Sequence, residues 1–449
     1  MTNSRSASAA GSARDERSRR GFLETIGAGT ATVGLAALAG CASFTDDGSE
    51  SASFHAADLP DVGDDPQPVT WATYPMGIPR EYRRDAQART NDLLEGVPTP
   101  LSARHVPNGH VRQHLTEAVS AARDHLDDAT IAPTQRGTID SLRRARQHAR
   151  FAAAGWAAID EDLTVDDVAA DANDVTDRAR RARADMEYVG SDVVPAVVVH
   201  ASREALLADA VDVSQDFSHG DGVRVLQVAE YAEHVERASA SLADATMLAE
   251  RFHGTQPEDA GSLAARIEDA RAALADVLRS EQSSLPSERD ALTVADGDID
   301  NTLAQRVLYD LHRRAVDDDP ADSRDGPARG IVRGIEAYAA LEGYRRVRER
   351  VESGERYEII GAAAVTEHYE AVHEALARAP RRSDAPGLAR AALVNVVASV
   401  QHHDQRLADL DGEVHDHDVT DAVESYVLQN AIARNVPEAV DAALDALQR

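Results

Sequence analysis

The sequence predicts an all-α protein of about ten or eleven mostly antiparallel helices. Three observations lead there. First, apolar residues recur at steps of three and four over long stretches. Leu263, Ile267, Ala270, Leu274 and Val277 share one face, while Glu268, Asp269, Arg271 and Asp276 fall elsewhere. Ile331, Ile335, Tyr338, Leu341, Tyr344, Val347 and Val351 form a second such stripe. Second, turn-forming clusters separate the stripes, among them "DDATIAPTQ", "HGTQPEDAG", "DDDPADSRDGP", "ARAPRRSDAPG" and "DLDGEVHDHD". Third, strand-like alternation is nearly absent. The one β-like run, "DVVPAVVVHA", leads straight into a helical pattern and is read as helix. Aromatics make up only 4%, so close packing rests on alanine and branched aliphatics.

In chain order, residues 1–40 read as a targeting segment. Arg5, Arg14, Arg17, Arg19 and Arg20 make a basic start, and a weakly apolar run follows at 21–40. That run carries Glu24 and five glycines, which makes it a poor permanent membrane helix despite its length. Residues 41–68 read as a disordered tether, because seven acidic and no basic residues sit among Ser, Gly and Pro. Residues 69–107 read as an extended or irregular segment packing back on the body through Trp71, Tyr74, Met76 and Ile78. From 108 onward helical periodicity dominates. Roughly 340 residues exceed one comfortable core. Two contiguous helical bundles are therefore expected, 108–254 and 259–449, with the break at the Gly- and Pro-bearing turn near 254–262.

Composition narrows the function classes. The chain of 449 residues has 78 acidic and 47 basic side chains, a formal net charge of −31, and every basic one is arginine. Without lysine, a Walker-type phosphate loop and a pyridoxal Schiff base are both excluded. The acidic surplus argues against nucleic acid, which asks for a basic stripe. It argues equally against a polybasic membrane patch. Cys41 is the only cysteine, so no intramolecular disulfide forms. At molar salt the Debye length is about 3 Å and dense carboxylates stop repelling one another; in dilute buffer they push the compact state apart. Dialysis from molar salt into dilute buffer is expected to cost the protein much of its helical circular dichroism. An unchanged spectrum would count against an adaptation to brine.

Two short motifs carry a resemblance. Ser18-Arg19-Arg20-Gly21-Phe22-Leu23 resembles the twin-arginine export motif, with its usual Phe-Leu after the arginine pair. Leu38-Ala39-Gly40-Cys41 resembles a lipobox, the site where a lipoprotein is cut before its cysteine. The acidic, lysine-free composition is similar to that of extremely halophilic archaeal proteins. Together these features resemble a haloarchaeal lipoprotein exported by the twin-arginine route. The resemblance covers residues 1 to about 41 and implies three things. The export machinery carries the chain across the membrane already folded. Cys41 becomes linked to membrane lipid. The body is then held at the extracytoplasmic face of the cell membrane, where its partner is an envelope protein.

Candidate chemistry is sparse. The densest group of ligand-type side chains is His402, His403, Asp404, His415, Asp416, His417 and Asp418. In an extended loop His415 and His417 point to the same side, whereas His402 and His403 lie about 12 Å away along their helix. A metal site would therefore rest on His415, His417 and Asp418. Two Glu-x-x-His pairs, Glu250/His253 and Glu370/His373, are what chance supplies in a chain this rich in both residue types. His200 and His234 lie in apolar helical stretches and are read as core or boundary histidines. With no catalytic constellation and no predicted cofactor, the sequence reads as a non-enzymatic structural or partner-binding lipoprotein. The alternative reading is a metal-binding or metal-dependent helical protein using its His, Asp and Glu residues.

Overall fold

The periodic stretches fold as helices whose starts are fixed by local chemistry. Asn108 accepts from the amides of His110 and Val111, and Thr134 accepts from that of Gly137. Thr164 and Asp167 make a reciprocal capping box. These caps open three of thirteen α-helices in the computed structural model, which describes residues 52–62, 74–212, 223–287, 299–317 and 326–449. Helix α1 is Arg80–Glu95, α2 Gly109–Ile131, α3 Gln135–Asp160 and α4 Val165–Ala184. Helix α5 is Val193–Asp212, α6 Arg224–His253, α7 Ala264–Gln282 and α8 Leu303–Asp317. Helix α9 is Pro327–Glu352, α10 Ala362–Arg382, α11 Pro386–Ala392, α12 Val394–Ala408 and α13 Asp416–Gln448.

Helices α3 and α6 pack on each other; α1 and α2 lie on α3, and α4 and α5 on α6. Further along the chain, α9 and α13 play the same part. Helices α10 and α12 lie on α13, α8 lies mainly on α9, and α7 touches both. A Cβ at Gly343 of α9 would stand 3.3 Å from the carbonyl carbon and oxygen of Ala431 in α13, so these two backbones leave room for little more than glycine. Helix α5 joins the two groups. Its Val193, Val197, Val198 and Ala201 enter the apolar cluster built from α7 to α13. Its Ala196, Val199, Leu206, Leu207 and Ala210 enter the cluster of α3, α4 and α6. A helix apolar on every side is a buried helix, and this is the "DVVPAVVVHA" run.

Among the described residues the strands are four short pieces in two antiparallel pairs. β1 (Ser53–His55) pairs with β4 (Glu413–His415), with Phe54 opposite Val414. β2 (Val189–Gly190) pairs with β3 (Gly261–Ser262).

Several expectations need correction. The helices number thirteen among the described residues, where the sequence suggested ten or eleven. One of the additions, α1, occupies 80–95 inside the segment read as extended. Its buried residues are only Ala86, Thr90 and Leu93, one narrow stripe that small and polar residues conceal. Another, α11, is seven residues long, too short to show a period. Within the segment read as a free tether, Ser53–His55 is a strand, and Phe54, Ala56, Leu59 and Val62 pack on the core. In α7 the buried residue is Leu278; Val277 is exposed, because the true face advances by four from Leu274 rather than three. Tyr74 and Met76 are buried against the body as expected, while Trp71 lies outside the described residues.

Candidate functional site

Where α5 meets both helix groups, a cavity of about 490 Å³ opens. Its charged lining comes from four helices. Arg136, Asp140 and Arg143 follow one face of α3 at steps of four and three. Asp209 stands on α5 and Arg314 on α8. Arg329, Arg333 and Glu336 stand along the first three turns of α9. Five guanidinium groups thus face three carboxylates, in a chain whose charge elsewhere is heavily negative. Val198, Leu206, Val332, Val394 and Ile432 supply apolar wall.

The lining is held by a web of partners. Arg143 pairs with Asp140 on its own helix and lies 3.2 Å from buried Asp244 of α6. Tyr82 of α1 donates to the same Asp244. Asp209 accepts from Ser241 Oγ at 2.7 Å and lies 3.5 Å from Arg237. Asn395 donates to Glu336 at 3.4 Å, and Arg314 donates to Gln429 at 3.5 Å. Burial pushes the Tyr74 phenol up to about 12, so it faces the cavity as a neutral hydroxyl. The Ser202 hydroxyl donates to the Val198 carbonyl at 2.9 Å and so behaves as a helix hydroxyl rather than an activated nucleophile. Guanidinium forks beside a phenol match a carboxylate or phosphate group. The cavity volume lies in the range of small-molecule pockets.

A buried carboxylate secures this region. Glu204 of α5 reaches the start of α9 and accepts from the amides of Ala328 at 3.2 Å and Arg329 at 2.5 Å. Tyr188 donates to it at 2.6 Å, and burial beside that carboxylate raises the phenol well above its ordinary range. A negative group at a helix start satisfies unpaired amides and meets the positive end of the dipole. Gly326 makes the approach possible, since a Cβ there would come within 2.1 Å of Glu204 Cδ.

The residues singled out from sequence stand elsewhere. Ser18, Arg19, Arg20, Phe22, Leu23 and the Leu38–Cys41 motif lie outside the described residues. His415 ends β4 and precedes α13 as its N-cap; its amide donates to Asp418 at 2.9 Å, so that carboxylate serves as a cap. The rings of His415 and His417 stack at 5.4 Å, and His417 lies 3.5 Å from Asp418. Among the described residues, no group of three His, Cys, Asp or Glu side chains is placed to hold a metal ion. The His402-His403-Asp404 run is split by its helix. His402 is exposed, and burial pushes the partly covered His403 down to about 4. Asp404 turns inward, fully buried, where Tyr426 donates to it at 2.7 Å and His373 Nε2 lies 3.2 Å away. His200 is buried, with Nε2 3.2 Å from the Val189 carbonyl, and His234 is partly buried.

Sequence reading missed the arginine-lined cavity because its charges come from four helices spread over some 200 positions. One local signal existed. Arg329 and Arg333 are one turn apart in the first half of a helix that is otherwise mostly apolar there, an arrangement suited to arginines that face a cavity.

These features define a helical protein with an arginine-lined cavity between two groups of helices. Residues 81–256 match the model of a domain of unknown function, DUF8262, and residues 264–445 match that of a second, DUF8264. No curated protein and no solved structure matches the chain. No described helix is long and apolar enough to cross a membrane.

Proposed function

We propose that this protein is a lipid-anchored binding protein of the extracytoplasmic membrane face, and that its body takes a small anionic ligand in the cavity beside α5. The observation that carries the ligand reading is the set of five arginines on three carboxylates at that place. The body is read as two helical bundles sharing α5. The anchor reading rests on the twin-arginine and lipobox motifs, with Cys41 as the lipidated residue, the export machinery as the carrier and an envelope protein as a further partner. Eleven residues lie between Cys41 and Ser53, which limits the span to about 40 Å. The surface is read as adapted to molar salt.

Calorimetric titration of the purified chain at molar salt with citrate and inorganic phosphate tests the ligand. Saturable binding is expected, weakened about tenfold or more in Arg333→Glu, since loss of a charge-assisted contact and gain of repulsion both oppose the anion. Equal heats for the parent and the variant would remove the cavity from consideration. For the anchor, Cys41→Ser is expected to shift the protein from the membrane fraction into the medium. Retention of that variant in membranes would overturn the assignment.

A further inference from the structure

Arg143 reaches two places at once. Its side chain lines the cavity beside α5, and its Nε lies 3.2 Å from Oδ2 of Asp244, a residue that does not line that cavity. Asp244 is 4% exposed. Neither Nε nor Oδ2 has an aligned hydrogen bond, so the two meet as charges alone. The other carboxylate oxygen, Oδ1, accepts from the Tyr82 hydroxyl of α1. Few other charges act on Asp244. From α3, Arg146 is committed to Glu236 at 2.7 Å, and Asp140 is held by Arg143 and by Arg136 at 3.6 Å. From α5, Asp209 acts on Arg143, and Tyr74, ahead of α1, keeps its proton. The residues that α4 buries carry no charge. The guanidinium that balances Asp244 most directly is thus the one it shares with the cavity.

An anion drawn to Arg143 places a second negative charge on that shared guanidinium, and a like charge nearby disfavours an ionised carboxyl. Protonation is easily accommodated here. Oδ2 accepts no hydrogen bond that a proton would break, and Tyr82 still donates to Oδ1. Molar salt does not remove the effect, because buried charges are screened far less than exposed ones. We propose that the cavity beside α5 takes up a proton together with its anion, with Asp244 holding the proton and Arg143 coupling the two. This rests on the anion-binding reading of that cavity and adds to it a dependence on pH. Burial pushes the Asp244 carboxyl up to about 6 against the pull of Arg143, so without ligand it is mostly ionised at pH 7. Anion and proton then favour each other by the same factor. Affinity rises as pH falls from the higher value that Asp244 has with anion bound to its ligand-free value of about 6, and levels off below it.

The test is calorimetric titration of the full chain with phosphate at molar salt and pH 7, in two buffers of different ionisation enthalpy, which counts the protons taken up on binding. Asp244→Asn is titrated beside the parent, and the difference between the two removes the protons of phosphate itself. If the anion strengthens the hold of Asp244 on its proton about tenfold, the parent takes up about 0.4 proton more than the variant. Its affinity relative to the variant then rises about fivefold between pH 8 and pH 6. At pH 8 Asp244→Asn binds up to about tenfold more tightly than the parent, because a neutral side chain leaves Arg143 to the anion. Tyr82→Phe removes a donor that favours the ionised carboxyl, so it moves the pH profile upward, and it decides the matter should Asp244→Asn fail to fold. Saturable binding with equal proton counts in the parent and Asp244→Asn would overturn the coupling and leave the anion site standing. An unmoved pH profile in Tyr82→Phe would count the same way. No saturable heat with either phosphate or citrate would overturn both readings.

Discussion

Glu236→Ala is expected to lower the stability of the folded chain by about 3 kcal/mol, read as a fall in Tm at fixed molar salt. Glu236 sits on α6, where α1 and α3 bring two arginines onto one buried carboxylate. Arg89 donates to it through Nε at 3.3 Å and Nη2 at 2.9 Å, and Arg146 Nε donates at 2.9 Å. Removing the carboxylate leaves Arg146 charged and mostly covered, which is the costly event. Arg89 is nearly half exposed and can turn to water, so the low end of the range for broken buried pairs applies. The pH dependence carries a sign. Burial pushes the Glu236 carboxyl up, but the hydrogen bonds and charges of Arg89 and Arg146 outweigh it and hold the group below its ordinary value. Its contribution is therefore fully present above the unfolded value near 4.5 and disappears as pH falls through the lower folded value. The parent should lose stability on acidification through that window, and Glu236→Ala should lose less. A control fixes the interpretation: Glu236→Met with Arg146→Met should recover most of the loss, since an apolar pair of similar size can replace a buried ion pair. If the double variant is as unstable as the single one, packing rather than the orphaned charge is the cause.

How far such features are legible in the sequence depends on their range. The all-helical character could be read directly, because a stripe such as Ile331, Ile335, Leu341, Tyr344 and Val351 is a local pattern, and these residues are buried. Helix α5 could be read as helix, but not as the element shared by two apolar clusters, since an all-apolar surface carries no directional mark. Helix α1 was hidden because Ala86 and Thr90 form part of its buried face, and neither announces burial. Strand β1 was hidden because three residues pair with a partner some 360 positions away. Charged networks were the least legible. Glu204, Glu236 and Asp244 look in the sequence like ordinary acidic residues of an acidic chain. Only the fold shows that each is buried against arginines, phenols or helix amides. The "HHDQRLADLDGEVHDHD" stretch is rich in ligand-type residues, but the 3.6-residue turn of α12 sends exposed His402 and buried Asp404 to different sides.

Glu204→Ala and Gly326→Ala should each weaken the fold, and together they should be no worse than Glu204→Ala alone. The first removes the acceptor of the Ala328 and Arg329 amides and of the Tyr188 hydroxyl. Loss of a cap is worth about 0.5–2 kcal/mol, and buried donors left unpaired raise the total to about 3 kcal/mol. The second tests space alone. Gly326 has φ of −74° and ψ of 168°, a conformation open to any residue, so an alanine there is not strained by its backbone. Its Cβ would instead fall 2.1 Å from Glu204 Cδ and 2.2 Å from Oε1, which drives the carboxylate off the helix start. Overpacking of this kind costs about 1–3 kcal/mol. In the double variant the new methyl enters the space that the carboxylate vacated, so the two losses overlap, with a coupling of about 1 kcal/mol or more. Strictly additive losses would show that Glu204 does not cap α9. The same series bears on the cavity, because Arg329 and Arg333 stand on the turns of α9 that Glu204 holds. Citrate and phosphate binding should weaken in step with the cap across the three variants, even though none of the altered side chains carries a positive charge.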